Sequence, residues 1–194
     1  VRPGEATDLI VEGLTFEDGM LVGETNGRGA GLYVQAFSGS TGDVEIRDNI
    51  FRRNRADNFA GGLDASSGGR FVLRNNLFIN NSACAHGAAS LTVNGSEIAT
   101  ISNNTVVYNF LRETCSDAPG GLRLGGSAPA LIINNIFWDN QHADLALQTP
   151  GVELAHNNVM MLGGTPPLTN VMNVAIDPLF EPAVQGYRLS SASP

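Results

Sequence analysis

The sequence predicts an all-β chain wound as a right-handed parallel β-helix, a single-stranded solenoid of roughly six coils with an asparagine ladder at one bend. Three observations predict it. An asparagine-rich phrase recurs every 23 to 35 residues, a variable period that marks repeats whose insertions fall in loops. Apolar residues alternate ahead of each phrase, the pattern of a strand with one face inside. No repeat leaves room for a helix of about ten residues between its turn signals.

Each coil is justified in turn. Leu9 and Val11 lead into a degenerate first phrase, Gly13-Leu14-Thr15-Phe16, and the glycine-led strand Gly31-Leu32-Tyr33-Val34 closes that coil. Val44 and Ile46 precede Asp48-Asn49-Ile50-Phe51, followed by Gly62-Leu63-Asp64-Ala65. Phe71 and Leu73 precede Asn75-Asn76-Leu77-Phe78, followed by Ser90-Leu91-Thr92-Val93. Ala99 and Ile101 precede Asn103-Asn104-Thr105-Val106, followed by Gly121-Leu122-Arg123-Leu124. Ala130 and Ile132 precede Asn134-Asn135-Ile136-Phe137, followed more loosely by Asp144-Leu145-Ala146-Leu147. The last phrase reads Asn157-Asn158-Val159-Met160, with Val152 and Leu154 out of phase by one residue, as at a bulge or the start of an end cap. Each coil thus reads as three short strands, and residues 1–194 as one domain whose stretch 172–194 is a last coil or C-terminal cap.

Asparagine suits a bend because it tolerates the left-handed backbone region. Its amide also reaches its counterpart one coil away, about 4.8 Å along the axis. The expected ladder is Asn49, Asn76, Asn104, Asn135 and Asn158, beside an apolar stack of Phe16, Phe51, Phe78, Val106, Phe137 and Met160. A further asparagine follows the middle phrases by three residues: Asn54, Asn81, Asn109 and Asn140.

Composition narrows the partners. A net charge of −8 argues against nucleic acid, whose binding is dominated by cationic contacts to phosphate. No lysine is present, which excludes a lysine base or Schiff base. No run approaches the ~18 apolar residues of a membrane span, and no signal peptide is visible. The chain opens within the repeat at Asp8-Leu9-Ile10-Val11 and reads as a trimmed or mature piece. Cys84 and Cys115 occupy the same variable loop in adjacent coils, close enough for a disulfide, and pairing implies an oxidising compartment. Only His86 lies near them, so no metal site is expected there.

These residues resemble the right-handed parallel β-helix proteins of the pectate-lyase-like superfamily. The likeness is greatest to secreted bacterial β-helix repeat proteins whose closing coil reads as Asp177-Pro178-Leu179-Phe180, Gly186-Tyr187-Arg188-Leu189 and Ser193-Pro194 do here. The resemblance implies an extracellular or cell-surface location. It implies roles from polysaccharide lyase, hydrolase or epimerase to adhesin, and fold analogy does not choose among them.

The candidate site is the face after the variable loop, whose outward column reads Tyr33, Asp64, Thr92, Arg123 and Ala146. If the protein is an enzyme, Arg123 would neutralise a uronate carboxylate and Asp64 or Asp57 would hold Ca²⁺ in a lyase. A glycoside hydrolase would instead need two carboxyls about 6.5–9.5 Å apart. For binding, Tyr33, Asp64, Thr92 and Arg123 are the expected contacts, with no cofactor. The column offers one acid and one arginine with a neutral threonine between them. The reading is therefore a structural, adhesive or glycan-binding scaffold, able to self-assemble end to end through strand edges. Its expected partner is a polysaccharide or surface glycan. The Arg52-Arg53-Asn54-Arg55 run reads as a solvated turn, and Trp138 as an outward side chain able to stack on a sugar.

Overall fold

The computed structural model describes residues 7–23, 27–36, 40–112, 118–181, 188, 189, 191 and 193. Among them there are strands and turns and no helix, and the chain winds as a parallel β-helix. A first sheet of seven strands begins at Leu9–Glu12, runs through Val44–Arg47 and Phe71–Arg74, and ends at Thr169–Val171. A second sheet of six runs from Thr15–Glu17 to Asn158–Val159. The longest strands belong to another sheet of six, here the fourth: Leu32–Val34, Leu63–Ser67, Ala89–Val93, Leu122–Gly126, Leu145–Gln148 and Leu162–Gly164.

Between the second and fourth lies a third sheet, where the sequence pattern predicts a loop. Its four strands are two residues each: Met20–Leu21, Arg55–Ala56, Ser82–Ala83 and Phe110–Leu111. The alternation signal needs four or more residues to register, so strands of this length carry none.

Alternation puts one apolar residue inward at every second position. Phe51, Phe71, Phe78, Phe137, Ile46, Leu73, Ile101 and Ile132 are fully buried. Each contributes about 1.5–3 kcal/mol by leaving water. Phe16, Phe51 and Phe78 stack ring on ring, with centroids 4.9 and 4.6 Å apart.

Two asparagine ladders hold the corners. At the first corner the residue before each ladder position takes the left-handed conformation: Asp48, Asn75, Asn103, Asn134 and His156, with φ of 55–58°. The ladder residue itself then turns inward. The amide of Asn76 donates to Asn104 Oδ1 at 3.0 Å from both its backbone N and its Nδ2, and Nδ2 also donates to the Ile46 carbonyl at 2.9 Å. The same set repeats from Asn49 to Asn76, Asn104 to Asn135 and Asn135 to Asn157, and passes on to Asn173. The second ladder is Asn54, Asn81, Asn109 and Asn140, again each behind a left-handed residue (Arg53, Asn80, Tyr108, Asp139). Asp144 ends it: its Oδ1 accepts from Asn140 N and Nδ2 at 2.8 Å, and its Oδ2 from Met161 N at 2.8 Å. Burial raises the Asp144 carboxyl above its usual range, with these hydrogen bonds opposing.

The fifth ladder position is Asn157, not Asn158, and the stacked apolar residue is Val159, not Met160. Val159 pairs with Phe137, while Met160 is 51% exposed. Val152 and Leu154 are in phase after all, paired with Ala130 and Ile132. The doubled asparagine points to a ladder one residue late because His156 fills the left-handed position that Asp48, Asn75, Asn103 and Asn134 hold in the coils before it. Asn158 instead clamps the C-terminal segment, donating to the Ile176 carbonyl at 2.6 Å and accepting from Ile176 N at 3.1 Å. That segment returns outside the second sheet, where Phe180 meets Tyr108 edge-on at 6.4 Å and a short antiparallel pair forms with Arg188–Leu189.

Candidate functional site

The fourth sheet presents the candidate face. Its strands are entered through small residues because consecutive coils touch backbone to backbone there. A Cβ added at Gly121 would lie 1.9 Å from the Asp144 carbonyl oxygen. The outward column is Tyr33, Asp64, Ser90, Arg123 and Ala146. Ser90, not Thr92, stands between Asp64 and Arg123. The third coil enters through Gly87-Ala88, and Ala89 fills the inward place that leucine takes in neighbouring coils. Thr92 lies in the next outward column, between Ser66 and Gly125.

Thr92 nevertheless reaches the site. The Arg123 side chain runs along its own strand, donating from Nε to Gln148 Oε1 at 2.8 Å and from Nη1 to Thr92 Oγ1 at 3.4 Å. Gly125 supplies the space: a Cβ there would sit 2.6 Å from Arg123 Nη2. Burial lowers the Arg123 guanidinium from its usual value, with Asp64 opposing.

Asp64 is 6% exposed, and its Oδ2 is closed to solvent and makes no hydrogen bond. Arg28 approaches that oxygen at 3.6 Å from a side chain 44% exposed, and its guanidinium lies over the Phe59 ring at 4.6 Å. Burial raises the Asp64 carboxyl, while Arg28 and Arg123 pull it down. Phe59 also neighbours His86 at 6.3 Å between ring centroids. His86 is 8% exposed with Nδ1 unpaired, and burial, aided by Arg123, depresses its pKa to about 4. It is neutral at physiological pH.

Other expected residues lie elsewhere. Asp57 pairs with Arg112 and accepts from the Gly23 amide near the third sheet, so it does not join Asp64 in a cation site. Arg52 and Arg53 are tied to Glu17 and Asp18, and Asn54 belongs to a ladder. Trp138 is half-buried beside Val107 in the second sheet, away from this face. Cys84 is disulfide-bonded; Cys115, the chain's other cysteine, lies outside the described residues. Among the described residues no three His, Cys, Asp or Glu side chains group in a way that would hold a metal ion.

Sequence reasoning missed Arg28, Phe59, Ser90, Gly125 and Gln148. The Gly-rich stretches around Arg28 and after Leu124 were visible, but their partners come from other coils. Comparison with family models, with curated proteins and with solved structures returned no match.

Proposed function

We propose that the protein is a secreted, non-catalytic β-helix scaffold of the pectate-lyase-like kind that holds an acidic polysaccharide along its fourth-sheet face. One observation carries the reading: Arg28 and Arg123 flank a buried Asp64 on a face that also presents Tyr33 and Phe59. Guanidinium groups present a fixed fork of donors to sugar carboxylates. The inner carboxylate holds that charge in place, since its free oxygen does not reach solvent. Binding needs no more than this. A lyase base has to touch substrate, and a hydrolase needs a second carboxyl at about 6.5–9.5 Å; the outward column holds Asp64 alone. The Cys84 disulfide supports an oxidising, extracellular setting.

The test is calorimetric titration with oligogalacturonate, oligoalginate and a neutral oligoglucan, with product analysis on the same samples. Wild type is expected to bind one of the acidic oligomers and release no product, with at least tenfold weaker binding in Arg28→Ala and Arg123→Ala. Turnover abolished by Asp64→Asn with the melting temperature unchanged would make the face an active site. Acidic-oligomer binding indifferent to both arginines would remove the face from consideration.

A further inference from the structure

The third sheet carries a separate surface. Each of its two-residue strands turns one side chain in (Leu21, Ala56, Ala83, Leu111) and one out. The outward residues are in register: Met20 against Arg55, Arg55 against Ser82, Ser82 against Phe110. Small Ser82 is buried and forms a floor. Met20, 67% exposed, and Phe110, 45% exposed, rise at the two ends. Three strand spacings separate them, about 14 Å. With Arg53, Arg55 and Arg112 they line an open groove of about 740 Å³.

The charges in this groove are unequally matched. Arg53 is held by Glu17 and Asp18, and Arg112 by Asp57. Arg55 is exposed and has no ion pair among the described residues, on a chain where acidic residues outnumber basic ones 19 to 11. Acids are plentiful, yet none of the described ones is set against it.

We propose that this groove binds an extended acidic peptide segment with apolar side chains at its first and fifth positions and a carboxylate at the third. An extended chain advances 3.3–3.4 Å per residue, so four steps cover about 13–14 Å and match the distance from Met20 to Phe110. The third residue then lies near the middle, within reach of the Arg55 guanidinium. A helix would need about nine residues for the same span and would turn its middle carboxylate out of line. An acyl chain has no group to offer a cation in mid-groove. A uronate oligomer carries a charge on every ring where the groove has one free partner.

Fluorescence anisotropy with a labelled Leu-Ser-Glu-Ser-Phe peptide tests this, against a version with Gln at the third position and one shortened by a Ser. Saturable binding is expected, at least tenfold weaker for both altered peptides and for Arg55→Glu, and three- to tenfold weaker for Phe110→Ser. Arg55 is exposed, so a melting curve matching wild type confirms that Arg55→Glu still folds. Equal binding of the Gln peptide, indifference to Arg55→Glu, or no saturation up to about 1 mM, a dissociation free energy near 4 kcal/mol, would overturn the proposal. So would self-association of the wild type that Arg55→Glu abolishes, since the occupant would then be a second copy. None of these outcomes bears on the fourth-sheet face, which Arg55 does not touch.

Discussion

The asparagine corners and the fourth-sheet face are built by the same coils, yet they differ in how fully their polar groups are matched. At the corners the ladder amides from Asn49 to Asn135 and from Asn54 to Asn109 each donate to the next coil and back to a carbonyl of the coil before, and the side chains are buried. On the face, Asp64 Oδ2 and His86 Nδ1 are buried with no hydrogen bond, and Arg123 is held mainly by one glutamine. Buried polar groups are nearly always satisfied, and the exceptions gather where something other than stability sets the residue. The corners specify the coil; the face keeps buried polar atoms that make no hydrogen bond.

The corners should be the costliest place to disturb. Asn104→Ala removes the acceptor of Asn76 N and Nδ2 and the donor to the Leu73 carbonyl. With several buried groups orphaned, urea denaturation should show a loss of about 3–4 kcal/mol. Asn158→Ala, one residue outside the ladder, should lose about 1 kcal/mol or less. Equal losses would mean that the sixth coil is registered on Asn158.

Titration separates the two regions next. The His86 pKa is depressed to about 4 in the folded protein, so the unfolded chain binds the proton first as pH falls below 6.5. The stability this gives is present above pH 6.5 and is lost as pH falls toward 4. Asp64 and Asp144 are raised, and act oppositely: their contribution is present in acid and lost as pH rises through their folded values. His86→Asn keeps a residue that tolerates the left-handed backbone at φ 65° and removes only the histidine titration. Relative to that variant, wild type should lose on the order of 2–3 kcal/mol between pH 6.5 and 4 in urea midpoints. Parallel curves for the two proteins would mean that His86 is solvated.

The smallest effect on stability should come from Gly125→Ala. The colliding atom is the far end of a flexible arginine, so the fold should change by under about 0.5 kcal/mol. Affinity for the acidic oligomer should still fall about tenfold, because Arg123 loses its seat over the strand. A matched loss of stability and affinity would point to a strand defect instead.

These differences explain what was legible in the sequence. The inward alternation, four of the five expected ladder residues and the phenylalanine stack all recur at one position per coil, and recurrence is what a repeat makes readable. The second ladder was equally visible in Asn54, Asn81, Asn109 and Asn140, but its hydrogen bonds were not anticipated. The face was only half legible. Tyr33, Asp64 and Arg123 were assigned to one column correctly, whereas the place of Ser90 depended on alanine substituting for leucine at an inward position. Arg28 and Gln148 reach the site from strands and loops that share no motif, so contact alone unites them.

Hydrogen–deuterium exchange with and without the bound acidic oligomer tests the central division most directly. Ligand should slow exchange in peptides spanning 28–34, 89–93, 122–126 and 145–148, and leave the corner peptides around Asn76, Asn81, Asn104 and Asn109 as slow as they are without it. Protection that appears on the first or second sheet, with the fourth unchanged, would contradict the account.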